Sequence, residues 1–129
     1  MTVVVGYIPN QHGEAALAAG LVEARNRGTD LVVVNATKGD ALVDPKYLGD
    51  DAIAELTLRL DAEPDVSTSV RQSLGPDVAA EIIRIAEEVS ADLIVIGVRR
   101  RSPVGKMFMG SVAQEVLMDA TVPVLAVKA

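Results

Sequence analysis

Three runs of β-branched residues constrain this chain more than any other feature. Val3-Val4-Val5-Gly6-Tyr7-Ile8 is stopped by Pro9-Asn10, while Asp30-Leu31-Val32-Val33-Val34-Asn35 and Asp92-Leu93-Ile94-Val95-Ile96-Gly97 each follow a helix-like stretch. The runs are continuously apolar rather than alternating, as expected of strands buried on both faces of a parallel sheet. Two weaker runs, Val66-Ser67-Thr68-Ser69-Val70-Arg71 and Val122-Pro123-Val124-Leu125-Ala126-Val127, bring the expected strands to five.

Helical periodicity fills the gaps. Over residues 13–27, Leu17, Leu21 and Ala24 share a face and Gly28 supplies a stop. Gly20 costs that helix about 1 kcal/mol against alanine, which points to close packing at this position. A second helix near residues 50–60 carries Ile53, Leu56 and Leu60. A third has Pro76 in its first turn and an apolar stripe of Val78, Ile82, Ile85 and Val89. The fourth starts at Ser111, which forms a capping-box pattern with Gln114, and turns Val116 and Leu117 inward. Strand–helix alternation with right-handed crossovers predicts an α/β fold: a doubly wound, five-stranded parallel sheet with helices on both faces, Rossmann-like in outline. Residues 37–49 read as a surface excursion, and the 129 residues as one domain.

Composition removes several functional classes. Half of the residues are apolar and 23% are charged, which excludes a disordered chain. No apolar run approaches the ~20 residues of a membrane helix, and the N-terminus lacks a secretory signal, so a cytoplasmic protein with no membrane partner is expected. With no cysteine there is no thiolate nucleophile, disulfide or cysteine metal site, and a single histidine excludes a histidine-rich one. A net charge of −6 and three scattered aromatics argue against nucleic acid as partner. Within this acidic chain, Arg99, Arg100, Arg101 and Lys106 gather four of the twelve basic residues, a pattern suited to a small phosphate-bearing ligand.

Ligands of open α/β sheets bind beyond the carboxyl ends of the strands, where strand order reverses. The segment from Gly97 to Ser111 lies there: basic, glycine-containing, and leading into a helix start whose N–H groups favour an anion. A solvated basic loop, with Ser111 acting only as a cap, remains the alternative at this point. The segment is not a P-loop, since Arg100 and Met107 stand where glycine and serine or threonine are needed, and no G-x-G-x-x-G follows a strand. His12, after the first strand and near a helix start, could touch a ligand but reads better as an exposed loop histidine; no G-x-S-x-G elbow offers a nucleophile, and most acidic pairs lie on solvated helix faces. No enzyme is expected, beyond slow incidental hydrolysis of a phosphate-bearing ligand.

The residues from Gly97 to Ser111, then Val112-Ala113 and the closing Pro123-Val124-Leu125-Ala126-Val127-Lys128, resemble the universal stress protein family across essentially the whole chain. ATP-binding members show G-x2-G-x9-G-[S/T] here; this chain has Gly97, Arg100 and Gly110-Ser111 at those positions, and Ile8 where such members carry an acidic residue. The resemblance implies an adenine nucleotide alpha hydrolase-like fold and a site for ATP, AMP or another adenine nucleotide, with Mg possible. Gly97, Gly110 and Ser111 carry over as phosphate-loop residues, Arg100 and Ile8 mark departures within the site, and the basic Arg99, Arg101 and Lys106 with Val112 and Asn35 complete the expected ligand-binding set. The resemblance also implies a homodimer through Val122 to Val127, where Pro123 fits only a sheet edge, and regulation of an unidentified protein partner. The alternative reading is a ligand-free dimeric interaction module of the same fold.

Overall fold

A computed structural model describes residues 1–40, 42, 44–98 and 110–129. In chain order the elements are β1 (Thr2–Gly6), α1 (Gln11–Arg27), β2 (Asp30–Thr37), α2 (Asp50–Asp61), β3 (Thr68–Leu74), α3 (Val78–Glu88), β4 (Ala91–Val98), α4 (Ser111–Asp119) and β5 (Val124–Lys128). The strands form one parallel sheet in the order β3-β2-β1-β4-β5, as expected of a doubly wound α/β fold.

The continuous apolar runs are explained by what covers them. In β1, Val3 and Val5 enter one core with Leu31, Val33, Leu93 and Val95, under Leu17 of α1 and Leu56 and Leu60 of α2. Val4 faces the opposite way, into a second core with Val32, Val34, Ile94 and Ile96, under Ile82 and Ile85 of α3 and Val116 of α4. Alternate residues of one strand therefore serve two cores, and each fully buried aliphatic side chain contributes roughly 1.5–3 kcal/mol. Gly20 has the expected packing reason: a Cβ there would stand 2.2 Å from Val5 Cγ2. Gly28 ends α1 in the left-handed region at φ 64° and donates its N–H to the last-turn carbonyls.

Several local expectations are corrected. Asp77, not Pro76, begins α3: its side chain accepts the Ala80 N–H at 3.1 Å, so the proline stands before the cap rather than inside the first turn. Ser111 is the first helical residue of α4 and Gly110 is its cap, so the capping box does not form. Val116 is buried as expected, but Leu117 is 38% exposed. β3 begins at Thr68, with Val66 packed below it as a buried approach residue. β5 begins after Pro123, whose carbonyl accepts the Ile94 N–H and carries the pairing past the point where proline cannot donate.

Candidate functional site

Strand order reverses at β1, since β2 and β3 lie on one side of it and β4 and β5 on the other. At the carboxyl end of this junction lies a cavity of about 450 Å³, within the range of small-molecule sites. Gly6, Tyr7 and Ile8 leave β1 along one wall and Ile96, Gly97 and Val98 end β4 along the other. The first turn of α1 contributes Asn10, His12 and Gly13, and the start of α4 contributes Gly110, Ser111, Val112 and Ala113. The floor is apolar, with Val34 and Ala36 of β2 and Val78 and Ile82 of α3. Lys38, Asp44 and Lys46 close the β2 side.

Of the residues expected from sequence, Ile8, Gly97, Gly110, Ser111 and Val112 meet in this wall. Arg99, Arg100, Arg101 and Lys106 lie outside the described residues. Asn35 is fully buried and not in the wall. Its amide donates to the Tyr7 carbonyl at 3.1 Å and the Lys46 carbonyl at 3.0 Å. Its oxygen accepts from Leu48 N at 3.0 Å and from Gln72 Nε2 at 3.2 Å. All four hydrogen-bonding positions of the amide are used within the protein. Asn35 therefore pins the excursion of residues 37–49 against the sheet, and that excursion forms part of the cavity wall rather than a detached surface loop.

Gly97 and Gly110 differ in what they do. Gly97 is inside β4, and a Cβ on it would stand 2.1 Å from the His12 carbonyl oxygen; the glycine lets the first turn of α1 press against the strand. Gly13 does the same from the other side, where a Cβ would meet the Ile8 carbonyl oxygen at 1.8 Å. A Cβ on Gly110 would meet no described atom within 4 Å. His12, expected in an exposed loop, is instead half-buried in the first turn of α1, with Nδ1 sealed from solvent and without a partner among the described residues.

The electrostatics separate the helix starts. At α1, Asn10 Oδ1 accepts the Gly13 N–H at 2.9 Å and Glu14 adds a carboxylate to the first turn. Helices α2 and α3 likewise carry Asp50 with Asp51, and Glu81, in their first turns. The first turn of α4 has no acidic residue, and its cap has no side chain. Glu14 is itself engaged: Arg59 of α2 donates to both its oxygens at 2.7 and 3.1 Å, and the buried Tyr7 hydroxyl donates to it as well. The Arg59 guanidinium holds the Glu14 carboxyl below its usual range. Burial, and then the bond to Glu14, pushes the Tyr7 hydroxyl up to about 12.

Sequence reasoning missed Asn10, His12, Lys38, Asp44 and Lys46 as wall residues. The signal was the polar Asn35 closing an apolar strand run just before a charged excursion. Among the described residues no cluster of three or more metal-ligating side chains is gathered, and no helix is long and apolar enough to cross a membrane.

Residues 1–128 match the sequence model described as "Universal stress protein family". A universal stress protein of Mycolicibacterium smegmatis is 41% identical over 98% of this chain and 96% of its own length. The solved structure of a universal stress protein from Archaeoglobus fulgidus is similar with a TM-score of 0.81 and 28% identity, covering 99% of this chain and 98% of that one. A structure of the universal stress protein from Archaeoglobus fulgidus in complex with dAMP has a TM-score of 0.66 and 25% identity, with the same coverage.

Proposed function

The chain belongs to the universal stress protein family, and from that membership we propose that it is a regulatory protein that binds an adenine nucleotide in the crevice between β1 and β4. The observation that carries the reading is the start of α4, which alone among the described helices has neither a capping side chain nor a first-turn carboxylate while opening onto the cavity. Among the described residues no cap side chain accepts from its first N–H groups, and the helix field favours an anionic acceptor. The phosphate is read onto Gly110, Ser111 and Val112, and the base onto the apolar floor of Val34, Ala36 and Ile82. Arg99, Arg100, Arg101 and Lys106, just before α4 in sequence, would neutralise phosphate charge, with Arg100 as a bidentate partner. The dAMP complex of the Archaeoglobus fulgidus relative supports the ligand class. Mg would arrive with a triphosphate rather than on a protein cluster.

The action is conformational: nucleotide contacts along residues 98–109 would alter a surface read by a protein partner in the cytoplasm, with little or no turnover of ATP. A homodimer through β5 belongs to this reading. β5 is an unpaired edge, Leu125 on it is 37% exposed, and a twofold mate would cover both. Leu125→Lys is expected to convert a dimer to monomer by light scattering; a wild-type monomer at micromolar concentration overturns the assembly.

Calorimetric titration of ATP, ADP and AMP into wild type, Arg100→Ala and Arg100→Gly tests the ligand. Saturable binding by wild type is expected, weakened about tenfold or more by Arg100→Ala. Ile8 and Arg100, which depart from the ATP-binding pattern, favour the second reading, a ligand-free dimeric interaction module. Absence of binding in wild type and both variants would leave that reading standing.

A further inference from the structure

We infer that His12 donates a hydrogen bond from Nε2 to a phosphoryl oxygen of the bound nucleotide, and so distinguishes a phosphorylated ligand from the bare nucleoside. The inference rests on the nucleotide-binding reading and deepens it.

His12 is the second residue of α1 and part of the cavity wall. Its backbone cannot move off the site, because its carbonyl is pressed onto Gly97, and its own Cβ lies 3.0 Å from where a Gly97 Cβ would stand. The backbone that carries the ring is thus fixed beside the end of β4. The ring Nδ1 is sealed from solvent and has no partner among the described residues. A neutral imidazole carries one N–H and one bare nitrogen. An N–H shut away without an acceptor is rarer in proteins than an unfilled acceptor, so the proton belongs on Nε2. With Nδ1 sealed, Nε2 is the ring nitrogen left to offer an N–H donor to the cavity.

Two of the other polar wall groups are engaged within the protein, while the Lys38, Lys46 and Ser111 side chains also line the wall. Asn10 Oδ1 accepts from Gly13 N, and the Asp44 carboxylate accepts from the Lys38 and Lys46 N–H groups at 3.2 and 3.0 Å. An N–H donor in a wall that also carries Lys38 and Lys46 favours a negatively charged acceptor over a hydroxyl. Phosphate oxygen is the ligand atom that suits such a donor.

Because the chain has one histidine, its imidazole nitrogen resonances report this contact without assignment ambiguity. In wild type the ring is expected as the Nε2–H tautomer, and AMP, but not adenosine, shifts the Nε2 signal. By calorimetry, His12→Phe is expected to weaken AMP about tenfold while leaving adenosine within twofold. His12→Gln, whose amide nitrogen reaches the Nε2 position, restores most of the AMP affinity. Equal weakening of AMP and adenosine would reduce His12 to a packing residue and overturn the inference. An AMP affinity unchanged in His12→Phe, or an Nε2 signal indifferent to AMP, overturns it too, with nucleotide binding intact. A wild type that binds neither ATP, ADP nor AMP overturns the nucleotide-binding reading itself, and the role of His12 with it.

Discussion

At the start of α1 the protein supplies everything the helix end requires: the Asn10 cap, the Glu14 carboxylate, and backbone pressed between Gly13 and Gly97. Across the crevice, α4 begins on a glycine with no side chain, no acid and no described neighbour within 4 Å of a would-be Cβ. Both are helix N-termini at the carboxyl edge of one sheet, with the same unsatisfied donors and the same field. One is built as architecture and the other is left available. Two glycines of a single loop pattern can therefore have different physical reasons: Gly97 serves protein packing, while Gly110 leaves room at the cavity.

The largest expected effect separates those glycines. Gly97→Ala drives a methyl group into the His12 carbonyl and is expected to cost about 2–3 kcal/mol or more, since main-chain atoms cannot rotate away. Gly110→Ala, at φ −61° with no described atom within 4 Å of the added Cβ, is expected to stay within about 0.5 kcal/mol. Urea denaturation of the two variants decides the matter, and a Gly97→Ala midpoint equal to wild type would break the distinction.

A middle-sized effect tests the caps. Asn10→Ala should lower stability by about 1 kcal/mol. Gly110→Asp should leave stability within about 0.5 kcal/mol yet weaken nucleotide binding about tenfold, because its carboxylate would occupy the anion-favouring end of α4. Thermal unfolding with parallel nucleotide titration reads both; unweakened binding in Gly110→Asp would place the ligand elsewhere.

The smallest effect concerns the Tyr7–Glu14–Arg59 group behind the α1 start. Tyr7 has its folded value raised from 10.0 to about 12. Its contribution is complete below about pH 10 and is lost as pH rises through 12, because the unfolded chain ionises first. Glu14, held low by Arg59, contributes above the ordinary carboxylate range and loses that contribution as pH falls through its folded value. Both partners of the ion pair are about half exposed, at 44% and 50%, so the Glu14 share is under about 1 kcal/mol. Tyr7→Phe should flatten the alkaline limb of stability against pH, and Glu14→Gln the acidic limb.

The strand runs and the helix stripes were legible because burial on both faces demands continuous apolar sequence, as in Val3-Val4-Val5 and Leu93-Ile94-Val95-Ile96. The cleft followed from strand order, and with it the positions of Ile8, Gly97, Gly110 and Ser111. Features set by three-dimensional approach were not legible. The need for glycine at 97 comes from the His12 carbonyl, 85 residues away along the chain. Asn35 at a strand end reads equally well as a ligand contact or a structural bolt until Lys46, Leu48 and Gln72 are seen around it. Ser111 fits a capping box in one dimension, but the helix takes Gly110 as its cap and leaves the serine inside the first turn.

The strand order also dictates a sequence of events during synthesis. Residues 1–74 contain β1, β2 and β3, which pair among themselves as half a sheet. The far edge of β1, including Val3, Val4 and Val5, waits for β4, which the ribosome delivers only after residue 91. Until then that edge is an open template for a foreign strand. The docking of β4 then closes that edge of β1 and sets the second wall of the crevice, while the outer edge of β4 in turn waits for β5.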